Sequence, residues 1–121
     1  MNKVQELNLE LMRLASFNCY DGERVVKDLR EHEDVWNGAV MTRLDSGELI
    51  ALRDVADDYW NVDTLYILPK AGKEDELMIL ALHWDADEVD WIAGREAVHY
   101  LGEYSRELEA NPKAMLRIWW D

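Results

Sequence analysis

Residues 77–93 constrain the fold of this chain more than any other stretch. Leu77 to Leu82 is an unbroken apolar run, closed by His83 and Trp84. Asp85, Asp87, Glu88 and Asp90 follow, interleaved with Val89 and Trp91. The apolar half reads as a strand over 76–84, buried on both faces. The acidic half reads as the start of a helix, with Asp85 and Glu88 spaced like a capping box. Short polar links join this strand to predicted strands at 61–69 and 49–55. They imply an antiparallel meander, because a parallel crossover needs about a dozen residues or more.

The flanking segments extend this frame. Val4, Leu7, Leu11 and Leu14 are spaced three and four apart, with Leu9 and Met12 widening the stripe, which predicts an amphipathic helix over 3–15. Asp21 is placed to cap a second helix that runs to about residue 33 and buries Val25, Val26 and Leu29. Residues 34–44 read as helix or strand; the spacing of Trp36, Val40 and Leu44 favours helix. Asp45-Ser46-Gly47 is a turn signal. Val89, Ile92, Ala93 and Val98 suggest a helix disturbed near Gly94, with Asn111-Pro112 ending the helical region. Met115 to Trp120 reads as a returning strand. The predicted class is α+β: two N-terminal helices and an antiparallel sheet of about four strands, namely a three-strand meander plus a C-terminal strand, with a helix before the last. Residues 1–121 form one domain in this reading.

Charge narrows the partners. Against 13 basic residues stand 26 acidic ones, a net charge of −13. Such a chain repels phosphate backbones and attracts basic protein surfaces, so nucleic acid is not an expected partner. No apolar run approaches the roughly 18 residues of a membrane span, and no signal-peptide core opens the chain. Cys19 stands alone, which fits a reducing compartment, and a cytoplasmic location is expected.

Candidate chemistry is sparse. His83, Asp85 and Asp87 alternate, as metal ligands on one strand face would, but capping explains the acids equally well. A calcium loop starting at Asp85 fails, with Val89 and Asp90 where an oxygen ligand and a glycine are required. Asp54, Asp57, Asp58 and Asp63 flank a turn without any phosphate-binding fingerprint. Cys19 before a helix start lacks a nucleophile signature, and His32, His99 and the serines sit in no recognisable catalytic pattern.

The aromatic residues are more informative. Six tryptophans and five tyrosines accompany one phenylalanine. Trp36 and Trp84 are expected in the core, and one of Trp119 and Trp120 with them. Trp60 lies beside Asp57, Asp58 and Asp63; Trp91 lies beside Asp87 and Asp90. Each pairs an aromatic anchor with carboxylates, the chemistry that receives arginine.

The reading is a non-catalytic acidic module that binds a basic protein partner, inhibitor-, immunity- or adaptor-like, through Asp57, Asp58, Trp60, Asp63, Asp87, Asp90 and Trp91. No cofactor is expected. Two alternatives stand beside it. One is a small metal-assisted hydrolase using His83, Asp85 and Asp87. The other is a structural homo-oligomerisation subunit that self-associates through the first helix, with a homodimer as one form.

Overall fold

The computed structural model describes residues 1–15, 19–42 and 52–121. Two helices open the chain, α1 (Lys3–Leu14) and α2 (Gly22–Glu31). Asn2 caps the first by accepting from the Gln5 N–H at 2.8 Å, and Asp21 caps the second through the Arg24 N–H at 3.2 Å. Then come β1 (Trp36–Thr42), α3 (Leu52–Ala56), β2 (Thr64–Pro69), α4 (Glu74–Ala81), β3 (Glu88–Ile92), α5 (Gly94–Leu101), α6 (Arg106–Ala110) and β4 (Met115–Trp119). The four strands form one antiparallel sheet in the order β1-β2-β4-β3. The fold is α+β, with two N-terminal helices and helices directly before the last strand.

Residues 77–93 take the reverse of the expected assignment. The apolar half is the helix α4, and the acidic half is the strand β3. Glu74, Asp75 and Glu76 occupy the first turn of α4, where carboxylates suit the helix dipole. Leu77 and Ala81 are fully buried, four residues apart, with Trp84 buried three further on, while Ile79 and Leu82 are exposed. That is one buried face of a helix, not a strand buried on both sides. Asp85 does not cap a helix; it takes a left-handed φ of 55° in the turn that leaves α4. Because α4 carries the chain from β2 to β3, these strands run parallel to one another with β4 between them. A short hairpin link cannot make that crossing, so the third strand in sequence lies beyond the fourth.

Residues 36–42 are strand, not helix. The pairing with β2 shifts register between Trp36 and Gly38. A bulge adds one residue, which puts Trp36 and Ala39 on the same face at a spacing that imitates a helix. From Ala39 onward the burial alternates, with Met41 inward and Val40 and Thr42 less so. The described part of the predicted 49–55 strand is the short helix α3, in which Leu52 and Val55 are both exposed. The turn at Asp45-Ser46-Gly47 and residues 49–51 lie outside the described residues.

The sheet has two differently covered faces. Leu65, Ile67, Leu116 and Ile118 join Leu9, Met12, Val25, Leu29, Leu77, Ala81, Trp84 and Trp120 in the larger cluster, under α1, α2 and α4. Tyr66, Ile92 and Met115 point the other way and meet Ala97, Tyr100 and Leu108 of α5 and α6. At the β1 edge, the Gln5 amide serves as a strand surrogate: Nε2 donates to the Ala39 carbonyl at 2.7 Å and Oε1 accepts from the Ala39 N–H at 3.0 Å. That contact closes part of the edge to other strands.

An ion-pair net ties α1 to α2. Arg30 reaches Glu6 at 2.8 Å and Glu10 at 3.5 Å, and Arg13 reaches Glu10 at 3.1 Å and Glu23 at 3.0 Å. The hydrogen bond from Arg30 holds the Glu6 carboxyl below its usual range. A depressed carboxylate stabilises the fold above its unfolded pKa and loses that effect as pH falls through the folded one. Glu6→Gln therefore lowers the melting temperature at neutral pH, and the gap to the wild type closes as pH falls below the usual glutamate range, as thermal melts across pH will show.

Candidate functional site

The sheet brings some of the sequence-predicted residues together and separates others. Asp63 enters β2 and Asp87 enters β3, on either side of the end of β4. The Asp63 carbonyl accepts from Trp120 N–H at 3.2 Å, and its carboxylate accepts from Trp119 Nε1 at 3.3 Å. Asp87 N–H donates to the Trp119 carbonyl at 2.9 Å, and its carboxylate accepts from Asp121 N–H at 2.6 Å. Two acids remote in sequence thus converge through the same strand end.

Along β3 the side chains alternate. Glu88 and Asp90 face the α5–α6 side, in register with Trp119 and Arg117. Arg117 lies 3.6 Å from Glu88 and 3.3 Å from Asp90, so one guanidinium is shared by two half-exposed carboxylates. Val89 and Trp91 face the other side and pack against the larger cluster. Trp91 and Asp90 are therefore on opposite faces of the sheet, which the adjacency in sequence does not convey. The Lys113 ammonium sits 5.9 Å from the Trp91 ring centroid, so the aromatic face already meets a cation of its own chain. Among the described residues, no strand lies beside the outer side of β3, in contrast to the partly blocked edge of β1.

Asp57 and Asp58 form a second group at the exposed turn after α3. Asp58 takes a φ of 61°, and the chain is held there by Tyr59 N–H donating to the Asp54 carbonyl at 2.8 Å. No hydrogen bond or ion pair among the described residues joins these two acids to the β3–β4 group. Trp60 is half-buried against the larger cluster, with its Nε1 buried and without a hydrogen-bond partner among the described residues.

His83, Asp85 and Asp87 do not face one another. His83 is exposed and lines a shallow groove with His32, Val35, Glu76, Ile79 and Leu80. Asp85 lies 3.8 Å from Arg24, and Asp87 is turned to the Asp121 amide. Among the described residues, no group of three or more His, Cys, Asp or Glu side chains is placed to hold a metal ion. No helix of the described residues is long and apolar enough to cross a membrane. Sequence reading missed that β3 is an edge strand, although the alternation from Glu88 to Trp91 is a strand signal. No protein-family model, curated protein or solved structure matches this chain.

Proposed function

We propose that this protein is a non-catalytic, acidic binding module that receives an extended basic segment of another protein along the outer edge of β3. One observation carries the reading: an edge strand with no further strand beside it among the described residues bears acids on one face and is flanked by Asp87 and, across β4, by Asp63. An open edge offers backbone N–H and C=O groups that add a strand, and side chains at alternate positions supply selectivity. With Glu88 and Asp90 on one face and Val89 on the other, the matching segment alternates basic and β-branched residues. The net charge of −13 steers such a segment inward. Asp57 and Asp58 contribute to that field from outside the track. Inhibitor, immunity and adaptor proteins work in this general way, by masking or holding a basic partner.

A synthetic peptide alternating lysine and valine tests the reading, with a glutamate–valine peptide as its counterpart. Binding of the basic peptide shifts the backbone amide resonances of residues 88–92 and weakens by roughly tenfold when salt rises from about 50 to about 300 mM. Asp87→Lys with Asp90→Lys abolishes the shifts while the circular dichroism spectrum stays native. Asp57→Lys with Asp58→Lys slows association and leaves dissociation nearly unchanged. Equal binding of both peptides, or shifts confined to residues away from β3, would sink the proposal.

A further inference from the structure

The acid face of β3 already holds a cation. Arg117 on β4 stands in register with Asp90 on one side and Tyr66 on the other. Its Nε lies 3.3 Å from Asp90 Oδ1, and its Nη2 lies 3.6 Å from Glu88 Oε2. Alternate residues on a strand stand about 7 Å apart, so a planar fork reaches both carboxylates where a compact ammonium meets one. The Glu88 and Asp90 side chains are 58% and 52% exposed, against 28% for Arg117. The resident cation thus comes from the β4 side and leaves the acids accessible to solvent.

These two contacts are loose. Charge-assisted hydrogen bonds to a carboxylate are about 2.7–2.9 Å long, and both distances here exceed that. Exposed ion pairs of this kind contribute little to stability, because solvent screens them. The charge they carry still matters to a partner. Glu88 and Asp90 supply two negative charges, and Arg117 cancels one of them. A second cation drawn to the same pair is repelled by Arg117, so it replaces the resident rather than joining it. A guanidinium remakes both contacts as Arg117 gives them up, whereas an ammonium remakes fewer.

Resting on the β3-edge reading, we propose that Glu88 and Asp90 form a guanidinium subsite whose resident occupant is Arg117, and that an arginine of the basic partner takes its place on binding. Arg117 then sets both the strength of binding and the preference for arginine over lysine.

Titrations with alternating arginine–valine and lysine–valine peptides, followed by the amide resonances of residues 88–92, test this. The wild type binds the arginine peptide about threefold tighter than the lysine peptide. Arg117→Gln binds the lysine peptide about tenfold and the arginine peptide about threefold tighter than the wild type does, so the preference disappears. The wild type supplies a second readout. The Arg117 Nε–H, which donates to Asp90 at 3.3 Å, loses its protection from hydrogen exchange at saturation with the arginine peptide. Should Arg117→Gln lose its native circular dichroism, that resonance decides alone. Unchanged or weaker binding by a folded Arg117→Gln, with the shifts still at residues 88–92, overturns the resident-cation proposal and leaves the edge reading standing. So does an Arg117 Nε–H that keeps its protection at saturation. If neither peptide shifts residues 88–92 in either protein, both readings fall.

Discussion

Trp120→Ala is expected to destabilise the protein by about 4 kcal/mol, in the range of large aromatic truncations in cores. Trp120 is completely buried at the end of β4. Its ring meets Tyr20 edge-on, with centroids 4.6 Å apart and planes at 72°. Its Nε1 donates to the Trp84 carbonyl at 3.0 Å, and Trp84 Nε1 in turn donates to the Asp28 carboxylate at 2.9 Å. Tyr20 completes the group by donating to the Met12 carbonyl at 2.6 Å, and burial pushes its phenol well above the usual range. One side chain therefore joins β4 to the end of α4, and through Trp84 and Tyr20 to α2 and α1. Removing it leaves a cavity and an orphaned carbonyl together. Thermal melting should fall by roughly 15 °C, given about 4 °C per kcal/mol for a chain of this size. Trp120→Phe keeps most of the ring and loses the donor, so its cost should be less than half as large. A loss equal to that of alanine would put the hydrogen bond, rather than the packing, in command of this corner.

The same corner bears on the proposed binding edge. Asp87 is held by the Trp119 carbonyl and the Asp121 amide, and Asp63 by Trp119 and Trp120. The acids that flank β3 and β4 are thus positioned by the strand that Trp120 anchors. Their placement follows from the core beneath them, and a loosened Trp120 variant should bind the basic peptide less well even with every carboxylate present.

How much of this was legible in the sequence depends on whether the signal was local. The two N-terminal helices were, because Asp21 caps one and the apolar spacing marks both. So were the returning strand at 115–119 and the strand stopped by Pro69. Which face of α1 is buried was not. The most regular stripe, Val4 to Leu14, is the outer one, and the inner face is built from Leu9, Met12 and the polar Gln5, whose amide is satisfied by the Ala39 backbone. A periodicity reports that a face is apolar, not what covers it. Residues 77–93 failed for a related reason. A short apolar run suits a buried strand or a helix equally, and the decisive clues were the acids before Leu77 and the alternation after Asp87. At Trp36 and Val40 a spacing of four suggested one helical face, but Trp36 packs in the larger cluster and Val40 against the smaller one, on opposite faces of a strand. The acid cluster at the end of β4 depends on a pairing between distant segments. Local pattern is silent on that.

Gly94→Ala is expected to be the most damaging exchange of a single atom. Gly94 opens α5 against the end of α6, and its N–H donates to the Asn111 carbonyl at 2.7 Å. A Cβ there would stand 1.5 Å from the Leu108 carbonyl oxygen and 2.5 Å from its carbon. Both are backbone atoms, so no rotamer change relieves the overlap. The two helices must part, and Ala97, Ile92 and Met115 in the smaller cluster lose their packing with them. We expect a loss of about 3 kcal/mol, at the upper end of overpacking costs. Gly102→Ala supplies the contrast. Gly102 has a φ of 69°, and a Cβ there would meet nothing within 4 Å, so only left-handed strain remains, about 1 kcal/mol. Hydrogen exchange separates the local effect from a global one. In Gly94→Ala the amides of α5 and α6 should lose protection first, while those of α1, α2 and β2, which belong to the larger cluster, open only with the whole molecule. Uniform loss of protection would mean that the two faces of the sheet unfold as one unit, and that the helices covering one side also hold the β3 edge in place for binding.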